Sequence, residues 1–275
     1  MMRLCCSRRV LATGLVAGSA ALAACGLTQQ QEIRMGRQYA AEVDRQLPIV
    51  EDPRIHRYIN ALGDRIQQRP GNRDIPYTYH VVNSDEVNAF ALPGGFVYIN
   101  RGLIEATDDL SELAGVLAHE IGHVEARHGA EMAGRQQAAQ LGLLVGSVLL
   151  GGPPDGVAGG AVNLGAQAYF AHHGREAEAE ADALAVRLLT RAGIHPGGLV
   201  RFFEELLEDR NRTPSAPEQW FSTHPLTEER IAHVRDLIRG LPPDQLRALE
   251  VTSAGFVEFR ARVSRLPRPP SGMRR

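Results

Sequence analysis

"LAHEIGHVEARH", residues 117–128, decides how this chain is read. Within it His119 and His123 stand four apart, and Glu120 directly follows the first. On an α-helix, residues four apart leave the same face about one turn from each other, so both imidazoles reach one ion. Their nitrogens suit a Zn²⁺ held at about 2.0–2.1 Å. Glu120 projects about 100° round from His119, near enough to touch a water at the ion without binding the ion itself. The chemistry expected of that arrangement is peptide hydrolysis. Zinc brings the water's pKa toward about 7, Glu120 takes the proton, and the ion polarises the scissile carbonyl. Leu110, Leu113, Val116 and Leu117 give the helix its apolar side, and the pattern extends it from Asp108 to about Gly134.

A catalytic zinc takes three protein ligands and keeps one position open. In the pattern with a third histidine, H-E-x-x-H-x-x-G-x-x-H, this chain has Ala126 at the glycine and Gly129 at the last histidine. His128 is therefore expected to make a structural hydrogen bond and not to complete that pattern. A third ligand is expected from a separate helix, as in zincins that use glutamate. "GREAEAEADALA", residues 174–185, is the acidic helix downstream, with Glu176, Glu178, Glu180 and Asp182 at every second position.

Outward from these two helices the chain reads as α+β and mainly helical. Ile33, Ala40, Val43 and Leu47 recur at helical spacing before a break at Pro48. Asp52 and Pro53 look like the cap and first turn of a helix carrying Ile55, Ile59, Leu62 and Ile66. "YTYHVV", "VNAFAL" and "FVYIN" are strand candidates, and "PGG" at 93–95 turns the chain between the last two. A small antiparallel sheet beside the zinc helix is expected. Residues 141–165 are apolar, rich in glycine and interrupted by two prolines, and their continuous apolar run of about ten residues is too short to cross a bilayer. They read equally as a buried helix with a loop or as a cover near the site. Further helices are expected over Tyr169–Gly193 and Pro196–Asp209, and after a Thr227 cap with Ile231, Val234 and Ile238 inward. A short helix around Phe256–Leu266 precedes a tail that should be disordered. No internal repeat is legible.

The ends and the composition bound the setting. Arg3, Arg8 and Arg9 precede a short apolar stretch that ends at "LAAC", the pattern of an export signal. It resembles a bacterial lipobox, in which Cys25 is lipidated and leads the mature chain. "SRRVLA" also resembles a twin-arginine signal. Cys5 and Cys6 would leave with the signal, so no disulfide framework is expected. Gly26 after the cysteine favours outer-membrane sorting by the same resemblance. The domain reading is therefore a signal at 1–24, a lipidated tether at 25–31, a peptidase domain at 32–240 and a partly disordered extension at 241–275. A net charge of −2, with arginine supplying every positive side chain besides histidine, leaves no basic excess and gives no sign of a nucleic-acid partner.

"HEIGHVEARH", "GREAEAEADALA", "STHPLTEERI" and "VNAFALPGGFVYINRGLI" together resemble the HtpX-like metallopeptidases, the family that also holds the CAAX prenyl endopeptidases. The likeness covers roughly residues 30–240, and its exported lipoprotein arrangement resembles the periplasmic quality-control branch. It implies a gluzincin-type zincin with one zinc per chain. Glu178 would be the third ligand beside His119 and His123, and Asp182 the carboxylate that holds a ligand imidazole by its free N–H. His224 and Arg230 match a further motif and are grouped with Glu120 as catalytic. His224 would stabilise the oxyanion, or bind zinc as a fourth ligand and hold the enzyme off. Asn88 and Ala89 would line a cleft where an extended substrate pairs through its main chain. Glu176 and Glu180 would face elsewhere, solvated or paired with Arg175. His172 and His173 are expected at the surface, and His195 in a turn. Implied substrates are unfolded or misfolded envelope proteins, with the membrane reached through the lipid anchor. The competing reading is a chaperone or assembly factor for outer-membrane proteins, its site plugged by His224 or by residues 141–165.

Overall fold

Thr28 accepts a hydrogen bond from the Gln31 backbone while the Gln31 side chain reaches back to the Thr28 N–H, a capping box that starts α1 (Gln29–Gln46) inside the expected tether. The computed structural model describes residues 27–67, 74–135, 174–212 and 218–268. Cys25 and its signal, the 141–165 segment, Tyr169, His172, His173 and the end of the tail lie outside the described residues. The Asp52 carboxylate caps α2 (Pro53–Gln67), which buries Ile55, Ile59, Leu62 and Ile66 as its spacing predicts.

Three strands follow, β1 (Thr78–Val82), β2 (Ala89–Leu92) and β3 (Phe96–Asn100), in the spatial order β1-β3-β2. The sheet is mixed. β2 and β3 pair antiparallel as expected, but β1 and β3 run parallel. Residues 83–88 reverse the chain and leave a gap one strand wide. The turn at 93–95 reverses it again and lays β3 in that gap, alongside β1 and in the same direction. Gly94 sits at φ +78 against α1, where an added Cβ would come 2.7 Å from Ile33 Cα, so the turn needs glycine. Among the described residues β2 is left at the edge.

After α3 (Arg101–Ala106), Asp109 caps α4 (Leu110–Glu125) through the Ser111 and Glu112 N–H groups. Every residue of α4 but the last is buried, so this helix is the axis of the core. α5 (Arg175–Arg191) packs on one side and α6 (Gly197–Arg212) on another, with β2 nearby. A Cβ at Gly122 would lie 2.8 Å from the Ala181 carbonyl, so the glycine of HEIGH lets α5 approach α4 closely. The expected helix from Asp108 to Gly134 is broken. Arg127 adopts φ 63, in the left-handed region, and residues 128–135 form a separate helical segment. Arg127 is held there by the buried Glu32 carboxylate at 3.1 Å and by the Leu27 carbonyl.

The remaining elements are α7 (Glu218–Thr223), α8 (Glu228–Arg239) with its Thr227 cap, α9 (Pro243–Arg247) and α10 (Ala254–Val263). α10 buries Phe256, Phe259 and Val263 in the main core, so the packed body continues past Gly240. Among the described residues, no helix is long and apolar enough to cross a membrane.

Candidate active site

α4 presents His119 and His123 on the face that meets α5, and Gly122 between them lets that helix approach at Ala181, which lies between Glu178 and Asp182. Only one face of α5 is buried: Glu178 and Asp182 are fully covered, while Glu176 and Glu180 are exposed. An interval of four aligns the two buried acids, as helical geometry requires. His224 enters from the end of α7, where its N–H bonds back to the Trp220 carbonyl at 2.8 Å.

Four side chains converge. His119 Nε2 lies 3.0 Å from His123 Nε2, 3.4 Å from Glu178 Oε2 and 3.4 Å from His224 Nδ1. Glu178 Oε1 is 3.2 Å from His123 Nε2 and 3.3 Å from His224 Nδ1. All four residues are buried, and their ligand atoms lie within 4.8 Å of one another. Donors bound tetrahedrally at about 2.0–2.1 Å from zinc stand about 3.3–3.4 Å apart. These separations and this donor set of imidazole nitrogens and a carboxylate therefore fit zinc.

Asp182 Oδ1 stands 2.9 Å from His119 Nδ1, the nitrogen that faces away from the cluster. Arg230 grips Asp182 with Nε and Nη2 at 2.8 and 2.9 Å, and its Nη1 reaches Glu178 Oε2 at 2.6 Å. The motif groups Arg230 with the catalytic residues; its guanidinium lies behind the carboxylates, covered by the Phe203 ring 4.8 Å away. Glu120 is buried, and its Oε1 lies 3.4 Å from His224 Nε2. The Ala91 backbone of edge strand β2 hydrogen-bonds to Glu120, which ties the sheet edge to this carboxylate. Asn88 and Ala89, just before and at the start of β2, are both buried, and the Asn88 side-chain oxygen has no hydrogen-bond partner among the described residues.

The electrostatics divide the acids by role. Burial raises the Glu120 pKa, with His224 and His119 pulling the other way. Burial would also raise Glu178, but the facing imidazoles of His119, His123 and His224 outweigh it and hold this carboxyl far below its usual range. Asp182 is likewise lowered against its burial, by His119 and Arg230. Burial opposes a charge on His119, yet Asp182 and Glu178 raise it to about 9. The same concentrated negative charge attracts a dication.

One neighbour and one contact escaped the sequence reading. Trp220 packs against His224 with ring centroids 4.7 Å apart and the rings tilted by 31°, and nothing in its polar surroundings in sequence marked it. His128 takes the hydrogen-bonding role expected of it, but its partner Glu180, 3.3 Å away at the outer edge of the site, lies across a helix break that no residue pattern signalled.

Comparison with known proteins agrees with this geometry. Residues 50–238 match the profile of peptidase family M48. The chain is 37% identical over 224 residues to the beta-barrel assembly-enhancing protease of Yersinia pestis, covering 79% of this chain and 46% of that protein. It is 30% identical over 230 residues to the metalloprotease LoiP of Escherichia coli (strain K12), covering 81% of this chain and 86% of that one. It is 33% identical over 180 residues to the mitochondrial metalloendopeptidase OMA1 of Bos taurus, covering 62% and 34%. The chain spans about half the length of the beta-barrel assembly-enhancing proteases it matches.

Proposed function

The chain belongs to peptidase family M48, a family of metallopeptidases that use zinc, and from that premise we propose that it is a zinc-dependent endopeptidase. The observation that carries this reading is the buried donor cluster with an additional buried carboxylate, Glu120, beside it. His119, His123 and Glu178 would hold the zinc. When bound, zinc supplies a Lewis acid that polarises the scissile carbonyl and acidifies a water. Glu120 takes the proton of the attacking water and delivers it to the leaving amine, a role its raised pKa suits. Asp182 keeps the His119 proton on Nδ1, which leaves Nε2 free to ligate, and Arg230 positions both carboxylates. The edge of β2, from Asn88 and Ala89 onward, would pair with an extended substrate through main-chain hydrogen bonds. Such pairing reads few side chains, which suits unfolded or misfolded proteins.

The sequence supports the setting: a signal at 1–24, a lipid on Cys25, a tether that gives way to α1 at Gln29, and a peptidase domain on the periplasmic face of the outer membrane whose packed body runs on through α10. The names of the assembly-enhancing relatives support envelope proteins as the substrate class.

His224 favours a second reading. Its Nδ1 stands with the three ligands and its Nε2 faces Glu120, so it would fill the position that a catalytic zinc keeps open. In that pose it is a fourth ligand that holds the enzyme off, and the chain would act as an autoinhibited assembly factor. Turned outward, the same imidazole would face the oxyanion. Glu120→Gln separates the readings. The variant should retain zinc and lose cleavage of casein, an unfolded substrate, by about 10³-fold or more, and undiminished cleavage would overturn the mechanism. Envelope-assembly function retained by Glu120→Gln would favour the assembly factor.

A further inference from the structure

We propose that His128 and Glu180 form a positioning relay for the ligand His123, running from the metal cluster to the protein surface. The inference rests on the zinc reading above. His123 turns Nε2 toward Glu178 and His119 and its other ring nitrogen, Nδ1, outward, 2.9 Å from His128 Nδ1. On the far side of that second ring, His128 Nε2 lies 3.3 Å from Glu180 Oε2. His128 is buried, whereas the Glu180 side chain is 62% exposed, so the chain of contacts begins at the cluster and ends in solvent.

The proton order along this line follows from its two ends. A ligating His123 Nε2 must be bare, so the neutral ring carries its proton on Nδ1. That N–H donates to His128 Nδ1, which must then be the acceptor. The His128 proton is left on Nε2, where it donates to the Glu180 carboxylate. Each link has one donor and one acceptor, and reversing any link would put a proton on the nitrogen that faces the zinc. Metal-ligating histidines commonly donate their second N–H to a carboxylate or carbonyl, which orients the ring and raises its basicity. Here a second histidine stands between ligand and carboxylate.

The backbone is shaped to permit it. Residues five apart on a continuous helix point about 140° away from each other, so His123 and His128 would not meet. Arg127 at φ 63 breaks the helix after Glu125 and turns His128 back onto His123. The Glu32 carboxylate and the Leu27 carbonyl hold Arg127 in that conformation.

The test compares zinc affinity by competition with a chromogenic chelator, together with the visible spectrum of the Co²⁺-loaded protein. His128→Phe keeps a ring but removes the acceptor, and zinc affinity should fall about 10–100-fold with an altered Co²⁺ spectrum. In His128→Asn an amide oxygen replaces Nδ1, and affinity should recover to within a few-fold of the parent. Glu180→Gln retains an acceptor at the surface and should bind zinc more tightly than Glu180→Ala. These last two variants alter an exposed side chain, so they keep the test valid if His128→Phe does not fold. Equal losses in His128→Phe and His128→Asn would assign His128 to packing, and indistinguishable Glu180 variants would remove the relay's outer half. Either result overturns the proposal. His119→Ala serves as the reference: if it leaves zinc affinity unchanged, the zinc site itself is misassigned, a failure distinct from that of the relay.

Discussion

His119 and His123 lie one turn apart on the same helix, yet the two imidazoles are backed in opposite ways. Behind His119 stands Asp182, fully buried and gripped by Arg230 in a bidentate pair. Behind His123 stands His128, whose outer partner Glu180 is largely in solvent. The first wall is rigid and carries a concentrated charge that must be compensated inside the protein. The second passes its polarity to water, where a carboxylate needs no compensation. The contrast predicts that the Asp182 wall governs folding as well as metal binding, while the Glu180 wall governs metal binding alone.

Breaking the charge balance of the inner wall should have the largest effect. Arg230→Met leaves only the buried imidazoles to compensate Asp182 and Glu178, and removing one partner of a buried ion pair costs about 3–5 kcal/mol. Chemical denaturation of the zinc-free protein should show that loss. An Arg230→Met variant as stable as its parent would mean the inner wall has no special role in folding. Asp182→Asn is milder, because the amide oxygen still accepts from His119. Zinc affinity should fall about 10-fold or more by chelator competition, and further than in Glu180→Gln.

The pH dependence of the zinc-free protein gives a finer distinction. His119 is raised to about 9 against an ordinary value of about 6.5. A raised histidine contributes stability that is full below the unfolded pKa, here about 6.5, and is lost as pH rises through about 9. Glu178 and Asp182 are lowered, so their contribution is present above the ordinary carboxylate range and fades as pH falls below it. Stability should therefore peak between about pH 5 and 6.5 and decline toward pH 9, and Asp182→Asn should flatten that alkaline decline. An unchanged slope in Asp182→Asn would separate His119 from the inner wall. The smallest effect belongs to the outer wall: Glu180→Ala should leave the melting temperature unchanged, since an exposed ion pair contributes little to folding. A marked drop in melting temperature would erase the contrast between the walls.

How much of this was legible in the sequence varies by element. The face of α4 could be read because an interval of four places two histidines together whatever surrounds them. The pair Glu178 and Asp182 was found on resemblance, and the helix then sorted the four acids by face, leaving Glu176 and Glu180 exposed. The mixed sheet was not legible. A hairpin turn identifies the antiparallel pair β2–β3, but nothing local states that β1 joins the far side of β3. The left-handed Arg127 also left no mark, because arginine has no preference for that conformation. It is held there by Glu32 and Leu27, nearly a hundred residues away. Glu180 read as a solvated charge for the same reason, since its partner His128 reaches it only across that break.

The sequence by itself determined the donor types, their helical intervals and the family, because those depend on periodicity and on residue chemistry that travels with the chain. Only the tertiary structure decided which atoms meet. It set His224 against Glu120, put Arg230 behind the ligands instead of in front of them, and joined His123 through His128 to Glu180. Those contacts are made by close packing between segments distant in sequence, and packing leaves no local pattern to read.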